Sequence, residues 1–284
     1  MKIILSRKGL DSSFGAVPSP LFPDGTLWSL PIPAAAGCGG TLRYGDVRFG
    51  AHALGDLVRD LSRGRIAATQ HVHLDPDLCH AHLARMPGWR PLFGQCGAAE
   101  THLQAQGVGP GDLFVFFGWF RHAERVSAGY RYVAGAPDLH VLFGWLRVAA
   151  RLSLNHETTV PPWARYHPHC QQGGFAAPNS LYIAAERLDL PGVPGAWPGA
   201  GRWARFRPQL QLTAPAMLRS VWRLPAWFHP LGRDTALSYH ARPDRWQHHE
   251  DHVLLRTVGR GQEFVLDCDV YPEALAWVAG LFER

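Results

Sequence analysis

Lysine is almost missing from this chain of 284 residues. Of its 28 basic side chains only Lys2 and Lys8 are lysines, and the rest are arginines. With 30 glycines and 23 prolines, this matches a GC-rich coding bias, so the arginine excess by itself assigns no partner. Cysteines are few: Cys38, Cys79, Cys96, Cys170 and Cys268, with no C-x-x-C pair. An odd, scattered set speaks against a disulfide framework or a zinc ribbon and fits a reducing compartment. Long hydrophobic runs are missing too. The longest, residues 113–120, is far short of the ~20 residues that span a bilayer. The apolar stretch near Met1 is too short for a signal peptide. The expectation is a cytoplasmic protein with no membrane partner. The phosphate loop G-x-x-x-x-G-K-[ST], the dinucleotide fingerprint G-x-G-x-x-G, the G-x-S-x-G elbow and H-E-x-x-H are all absent, as are internal repeats.

What is present suits a folded enzyme-sized unit. Apolar residues make up 46% of the chain, and a chain of this length hides roughly 75% of its unfolded surface. Residues 1–284 read as a single catalytic domain of mixed α/β (α+β) class: a mostly buried mixed β-sheet with short helices and long loops. Strands are expected at 2–5, 113–120, 180–184, 209–213 and 263–266. Helices are expected where Leu54, Leu57, Val58 and Leu61 share a face before Gly64, from Gly97 to Gln106, and after Pro272. Residues 140–152 fit either period. The glycine- and proline-rich run 190–201 reads as a long loop within the domain.

Several segments carry residues with chemistry. Ser6-Arg-Lys-Gly-Leu-Asp-Ser-Ser13 follows a strand and offers Arg7 and Lys8 for a phosphate or carboxylate, with Asp11 and the Ser12 hydroxyl beside them. In Gln70-His-Val-His-Leu-Asp-Pro-Asp-Leu-Cys-His-Ala-His82, an extended chain puts His71, His73 and Asp75 on one face. His-x-Asp is one half of a two-histidine, one-carboxylate triad, which suits Fe(II) and leaves positions open for oxygen or substrate. Asp77 is a candidate cap for a helix bearing His80. The missing histidine would come from far along the chain, from His167-Pro-His169 or from Leu237-Ser-Tyr-His240. In Arg260-Gly-Gln-Glu-Phe-Val-Leu-Asp267, Gln262 and Glu263 can read the edge of an amide or nucleobase. Between Asp189 and Asp234 there is no acid but six arginines, Arg202, Arg205, Arg207, Arg219, Arg223 and Arg233, among several tryptophans. Arginines neutralise phosphates and aromatic faces stack on unpaired bases.

Read in order, these segments form a series: the 6–13 segment, Pro18-Ser-Pro20, Pro23-Asp-Gly25, Leu30-Pro-Ile-Pro33, His73-Leu-Asp-Pro-Asp-Leu78 and Gly111-Asp-Leu-Phe-Val-Phe-Phe-Gly-Trp-Phe-Arg121. His140-Val-Leu-Phe-Gly-Trp145, His167-Pro-His169, Leu237-Ser-Tyr-His240 and Arg260-Gly-Gln-Glu-Phe-Val265 complete it. The series, from Met1 to about Trp277, resembles the nucleotide modification-associated domain family of the third type. The resemblance implies a catalytic domain acting on nucleotides or nucleic acid, and it assigns no reaction.

The expectation is therefore a metal-dependent enzyme, an oxidoreductase before a transferase, that modifies a nucleobase or nucleotide with a divalent cofactor, Fe(II). His73 and Asp75 would be ligands, completed by His169 or His240. Asp11, Lys8, Glu263 and Gln262 would do the acid/base and orienting work. Arg7, Ser12, Arg202, Arg205 and Arg207 would hold the substrate. The alternatives are an oxidative tailoring enzyme with a peptide or natural-product substrate, and a non-catalytic nucleic-acid-binding module built on the arginine segment. Oligomeric state is not set by any of these residues.

Overall fold

An unbroken apolar run fixes the centre of the molecule. Leu113, Phe114, Val115, Phe116, Phe117 and Phe120 are fully buried, as a strand covered on both faces requires. They belong to a strand of Leu113–Val126 in the computed structural model. The structure describes residues 1–284 except 14, 35–40, 51, 155–158, 172–174, 194, 235–236, 260 and 284. Cys38 and Arg260, singled out above, therefore lie outside the described residues.

The main path of the sheet uses six strands: β1 (Lys2–Arg7), β2 (Leu92–Cys96), β3 (Leu113–Val126), β4 (Leu139–Ser153), β5 (Asn179–Ala184) and β6 (Glu263–Asp267). Their spatial order is β6-β1-β3-β4-β5-β2. β1 runs parallel to β3 with Ile3 opposite Leu113, and the other neighbours are antiparallel. Short strands at Ser19–Leu21, Gly129–Tyr132 and Ala200–Arg202 attach to β3 and β4. Although β2 and β6 end the order, Gln95 of β2 hydrogen-bonds Glu263 of β6 at 2.5 Å. The helix α2 (Gly97–Ala105) packs on both strands. The sheet thus curls until its two ends face each other, and the mouth of that curl holds the residues discussed below.

Around the sheet lies one α+β domain, mostly strand, with three helices among the described residues. α1 (Leu54–Leu61) buries Leu54, Leu57, Val58 and Leu61 in a second apolar cluster with Trp28, Tyr44, Phe49, Val72 and Leu74. α3 (Glu273–Gly280) starts after Pro272 and closes the main core with Ala274, Val278 and Phe282. No helix among the described residues is long and apolar enough to cross a membrane.

Three local expectations change. Residues 209–213 are not a strand: Pro208, which has no N–H for a ladder, opens a 3-10 turn at Pro208–Leu210, and only single bridges follow. Residues 140–152, ambiguous by period, are strand because β3 supplies an antiparallel partner as far as Arg147 and β5 supplies one from Val148 on. Asp77 caps no helix. It forms a two-point ion pair with Arg85 at 2.7 Å for each contact, and the Tyr166 hydroxyl donates to it at 2.5 Å. Of the run 190–201, the described residues up to Gly199 form a loop docked on the domain, with Trp145 donating to the Pro198 carbonyl at 3.0 Å, and Ala200 opens the short strand Ala200–Arg202.

Asp77 and Arg85 are almost wholly buried, and they tie the chain after Asp75 to Tyr166, the neighbour of His167. Removing one member of a buried pair leaves the other charge uncompensated, at a cost of about 3–5 kcal/mol. Asp77→Ala is therefore expected to lower unfolding free energy by about that much in a urea titration. A change under 1 kcal/mol would show that the pair is not a structural tie.

Candidate metal centre

Alternation sets up the first two ligands. Val72 and Leu74 point into the second apolar cluster and are buried there. Successive side chains of an extended segment point to opposite sides, so His73 and Asp75 face the other way, into the mouth of the curled sheet. The strand Val72–His73 is held by Ile32–Pro33, with Ile32 opposite His73. His169 arrives from far along the chain in a 3-10 turn, Pro168–Cys170, started by Pro168. Its Nε2 lies 3.8 Å from Asp75 Oδ2, and His73 Nε2 lies 3.6 Å from the same oxygen. All three ligand atoms lie within 4.8 Å of one another, close enough to share one ion.

The neighbours orient these groups. Asn179 donates its Nδ2 to the His169 carbonyl at 3.0 Å, which fixes the amide, so its Oδ1 accepts from His169 Nδ1 at 2.7 Å. With the proton on Nδ1, the Nε2 lone pair faces Asp75. Burial pushes the His169 imidazole down to about 3, which keeps it neutral, as a ligand must be. Its ring lies between Phe175, stacked at 4.1 Å, and the backbone of Gly94. A Cβ on Gly94 would stand 2.3 Å from that ring, so only glycine fits. Gly94 N–H also donates to Asp75 Oδ1 at 2.9 Å, and His167 Nε2 lies 3.3 Å from the same oxygen. Burial opposes ionisation of Asp75, but its interactions with His167, His73 and His169 outweigh that and hold the carboxyl well below the usual carboxylate range. Oδ1 is thus engaged by the protein, and Oδ2 is the oxygen turned to the two imidazoles.

These residues line one end of a cleft of about 440 Å³ whose other walls include Arg7, Lys8, Asp11, Gln95 and Gln262. Lys8 Nζ sits 2.8 Å from Glu263 Oε1 and 4.5 Å from the centre of the Phe93 ring. Glu263 is buried, and its Oε2 has no hydrogen-bond partner among the described residues.

The sequence profile of nucleotide modification associated domain 3 matches residues 2–267. The chain belongs to this family. No curated protein and no solved structure matches it at a significant level. The family match spans every candidate site residue and ends at the last residue of β6, before α3.

Within this family member, the structure brings His73, Asp75 and His169 together, and Arg7, Lys8, Asp11 and Gln262 to the same cleft. Ser12 lies on the adjoining cavity, accepting from Arg219 at 2.6 Å. His240 is a correction. It is buried elsewhere against Phe264, its Nε2 accepts from Val258 N–H at 3.3 Å, and its Nδ1 faces the Ser238 carbonyl at 2.9 Å. Burial lowers it to about 4. Both nitrogens are used, so none is left for an ion. His71 is exposed and bridges Arg43 instead of joining the cluster.

Arg202, Arg205 and Arg207 are also corrections, since none lines the cleft. Arg202 donates to the Leu27 carbonyl at 3.2 Å and borders a small cavity behind Asp75. Arg205 is tied to Asp24, and Arg207 to the carbonyls of Leu281 and Glu283. Arg223 pairs with Asp251 and Arg233 with Glu273. The acid-free segment therefore spends its arginines on separate neighbours. Gly94, Gln95, His167 and Asn179 are site residues that sequence reasoning did not select. The histidine pair flanking Pro168 was the one signal, and it pointed to His167 as well as His169.

Two variants separate ligand from scaffold. Gly94→Ala is expected to displace the His169 ring and to weaken metal binding about 10–100-fold, the range for supports of metal ligands. A metal titration followed by calorimetry reads this, and unchanged affinity would contradict the packing. His240→Ala is expected to lower the melting temperature yet keep the metal affinity of the wild type. Loss of metal from the folded variant would restore His240 as a ligand.

Proposed function

We propose that this family member is a metal-dependent enzyme that modifies a nucleobase or nucleotide, with Fe(II) held by His73, Asp75 and His169. The observation that carries the reading is the convergence of His73 Nε2, Asp75 Oδ2 and His169 Nε2 at one end of an open cleft. Two neutral imidazoles and one carboxylate are the donor set of non-haem Fe(II) oxygenases, and the fit is supported by the glycine cradle and the oriented His169 tautomer. An iron ion bound there would supply an electrophilic centre with positions open to oxygen or substrate.

The chain's own groups do the rest. Asp75 brings a fixed negative charge to the site, and His167 and Gly94 hold its outer oxygen. Phe175 and the glycine backbone sandwich His169 and keep water from one side of it. Behind the wall residues Lys8 and Gln95, the buried Glu263 keeps one oxygen on both of them and has a second, Oε2, without a hydrogen-bond partner among the described residues. That oxygen is the one left to accept a proton or a donor group of a base. Gln262, exposed at the rim, is placed to meet an amide-like base edge. Asp11 borders the cleft from the opposite loop as the second carboxylate.

Protein purified without oxygen and loaded with Fe(II) is expected to hold about one iron per chain by elemental analysis. His73→Ala and His169→Ala should each lose it. Retention of iron by both folded variants would refute the centre.

A further inference from the structure

Beside the cleft, and sharing Arg7, Lys8, Asp11 and Ser13 with it, lies a second cavity of about 250 Å³. Its character is cationic. Arg7 reaches it from the end of β1, donating to the carbonyls of Val258 and Gly259 at 3.0 and 3.1 Å. Carbonyls position a guanidinium without neutralising it. Arg219 enters from the other side, stacked on Trp119 with its guanidinium carbon 4.1 Å from the ring centre, and donates to Ser12 Oγ at 2.6 Å. Lys8 is spoken for by Glu263. Asp11 is the one carboxylate on the wall among the described residues, so two guanidiniums stand there with one carboxylate. His140, also on the wall, stays neutral: burial lowers it to about 3, and its Nδ1 accepts from Trp222 at 2.9 Å.

Two further facts point to an absent acceptor. Arg7 Nε and Trp119 Nε1 are buried donors with no hydrogen-bond partner among the described residues, and both belong to this wall. Buried donors left unmade cost free energy, and native proteins leave few of them. Burial lowers the proton affinity of both guanidiniums, and the charge of Arg219 lowers that of Arg7 further, in the direction that a shared anion would relieve.

We propose that this cavity is a phosphate subsite, which takes the phosphate of the substrate on Arg7 and Arg219 while the attached nucleoside runs along the shared wall to the metal ligands. The proposal deepens the reading of the cleft as nucleotide-modifying and rests on it. Guanidinium is suited to this task because it offers donors in a planar fork that matches phosphate oxygens. Ser12 accepts from Arg219 and so keeps its own hydroxyl proton for a phosphate oxygen. A terminal phosphate of a free nucleotide and a phosphodiester within a strand present the same chemistry.

The test is calorimetric titration of the full chain with inorganic phosphate, the four 2′-deoxynucleoside 5′-monophosphates, the parent deoxynucleosides and a ten-nucleotide single strand. Arg219→Gln is expected to weaken the phosphate-bearing probes about 10–100-fold, as loss of one charge-assisted donor group does. The deoxynucleosides should be unaffected. His73→Ala should still bind inorganic phosphate, which separates this subsite from capture of phosphate by a metal. Binding of the monophosphates identifies a free nucleotide as the source. Binding of the strand alone, again lost in Arg219→Gln, identifies a polymer. If no phosphate-bearing probe binds the wild type, or Arg219→Gln binds within twofold of it, the subsite is overturned even where iron is bound. Phosphate binding by wild-type protein that takes up no iron when loaded with Fe(II) would overturn the metal reading and leave the subsite standing. Should Arg219→Gln fail to fold, phosphate protection of Arg7 and Arg219 from phenylglyoxal in the wild type decides it: protection supports the subsite and its absence overturns it.

Discussion

Among the described residues, Asp75 is a buried carboxylate with no lysine or arginine paired to it, only imidazoles and a backbone N–H. A buried charge is costly unless it is compensated, and this one dictates its surroundings. His73, His167 and His169 gather on it from two distant segments. Gly94 must be glycine so that its N–H can reach Oδ1 while its α-carbon leaves room for the His169 ring. Val72 and Leu74 anchor the segment from behind, in a cluster separate from the main core. The Asp77–Arg85–Tyr166 tie clamps the two ligand-bearing segments to each other. One arginine in place of the histidines would satisfy the charge more directly, but an imidazole can offer a lone pair where an arginine offers none.

The curl of the sheet supplies the opposite wall. Gln95 and Glu263 stand on strands at the two ends of the strand order, and their hydrogen bond closes the curl. Lys8 is held inside that wall: it pairs with Glu263 and sits on Phe93. In the proposed subsite the anion is met by Arg7 and by Arg219, which comes from the acid-free segment. Of that segment's six arginines, Arg219 is the one on the cavity wall beside Arg7.

The parts of this arrangement that could be read from sequence are local ones. The apolar run of β3, the face of α1 and the alternation that aims His73 and Asp75 together all follow from spacing within a few residues. The choice between His169 and His240 depends on where two loops land, and spacing says nothing of that. His169 follows a proline and His240 a tyrosine, and neither neighbour tells that His169 turns its Nε2 to Asp75 while His240 spends both nitrogens on backbone groups. Gly94 and Gln95 had no signal at all, because a glycine in a short strand acquires meaning only when a ring is packed on it. The arginines misled for a related reason: charge density along a chain does not report whether the side chains share a surface, and here they bind carbonyls and carboxylates at scattered places. Pro208 marked a break that the apolar alternation around it concealed.

The most direct measurement is a crystal structure of the Fe(II)-loaded protein with anomalous data collected at the iron edge. The expected result is one anomalous peak bounded by His73 Nε2, Asp75 Oδ2 and His169 Nε2, with His240 still bonded to the backbone. An ion elsewhere, or none at this cluster in protein that has taken up iron, would contradict the metal centre and with it the mechanism built on it.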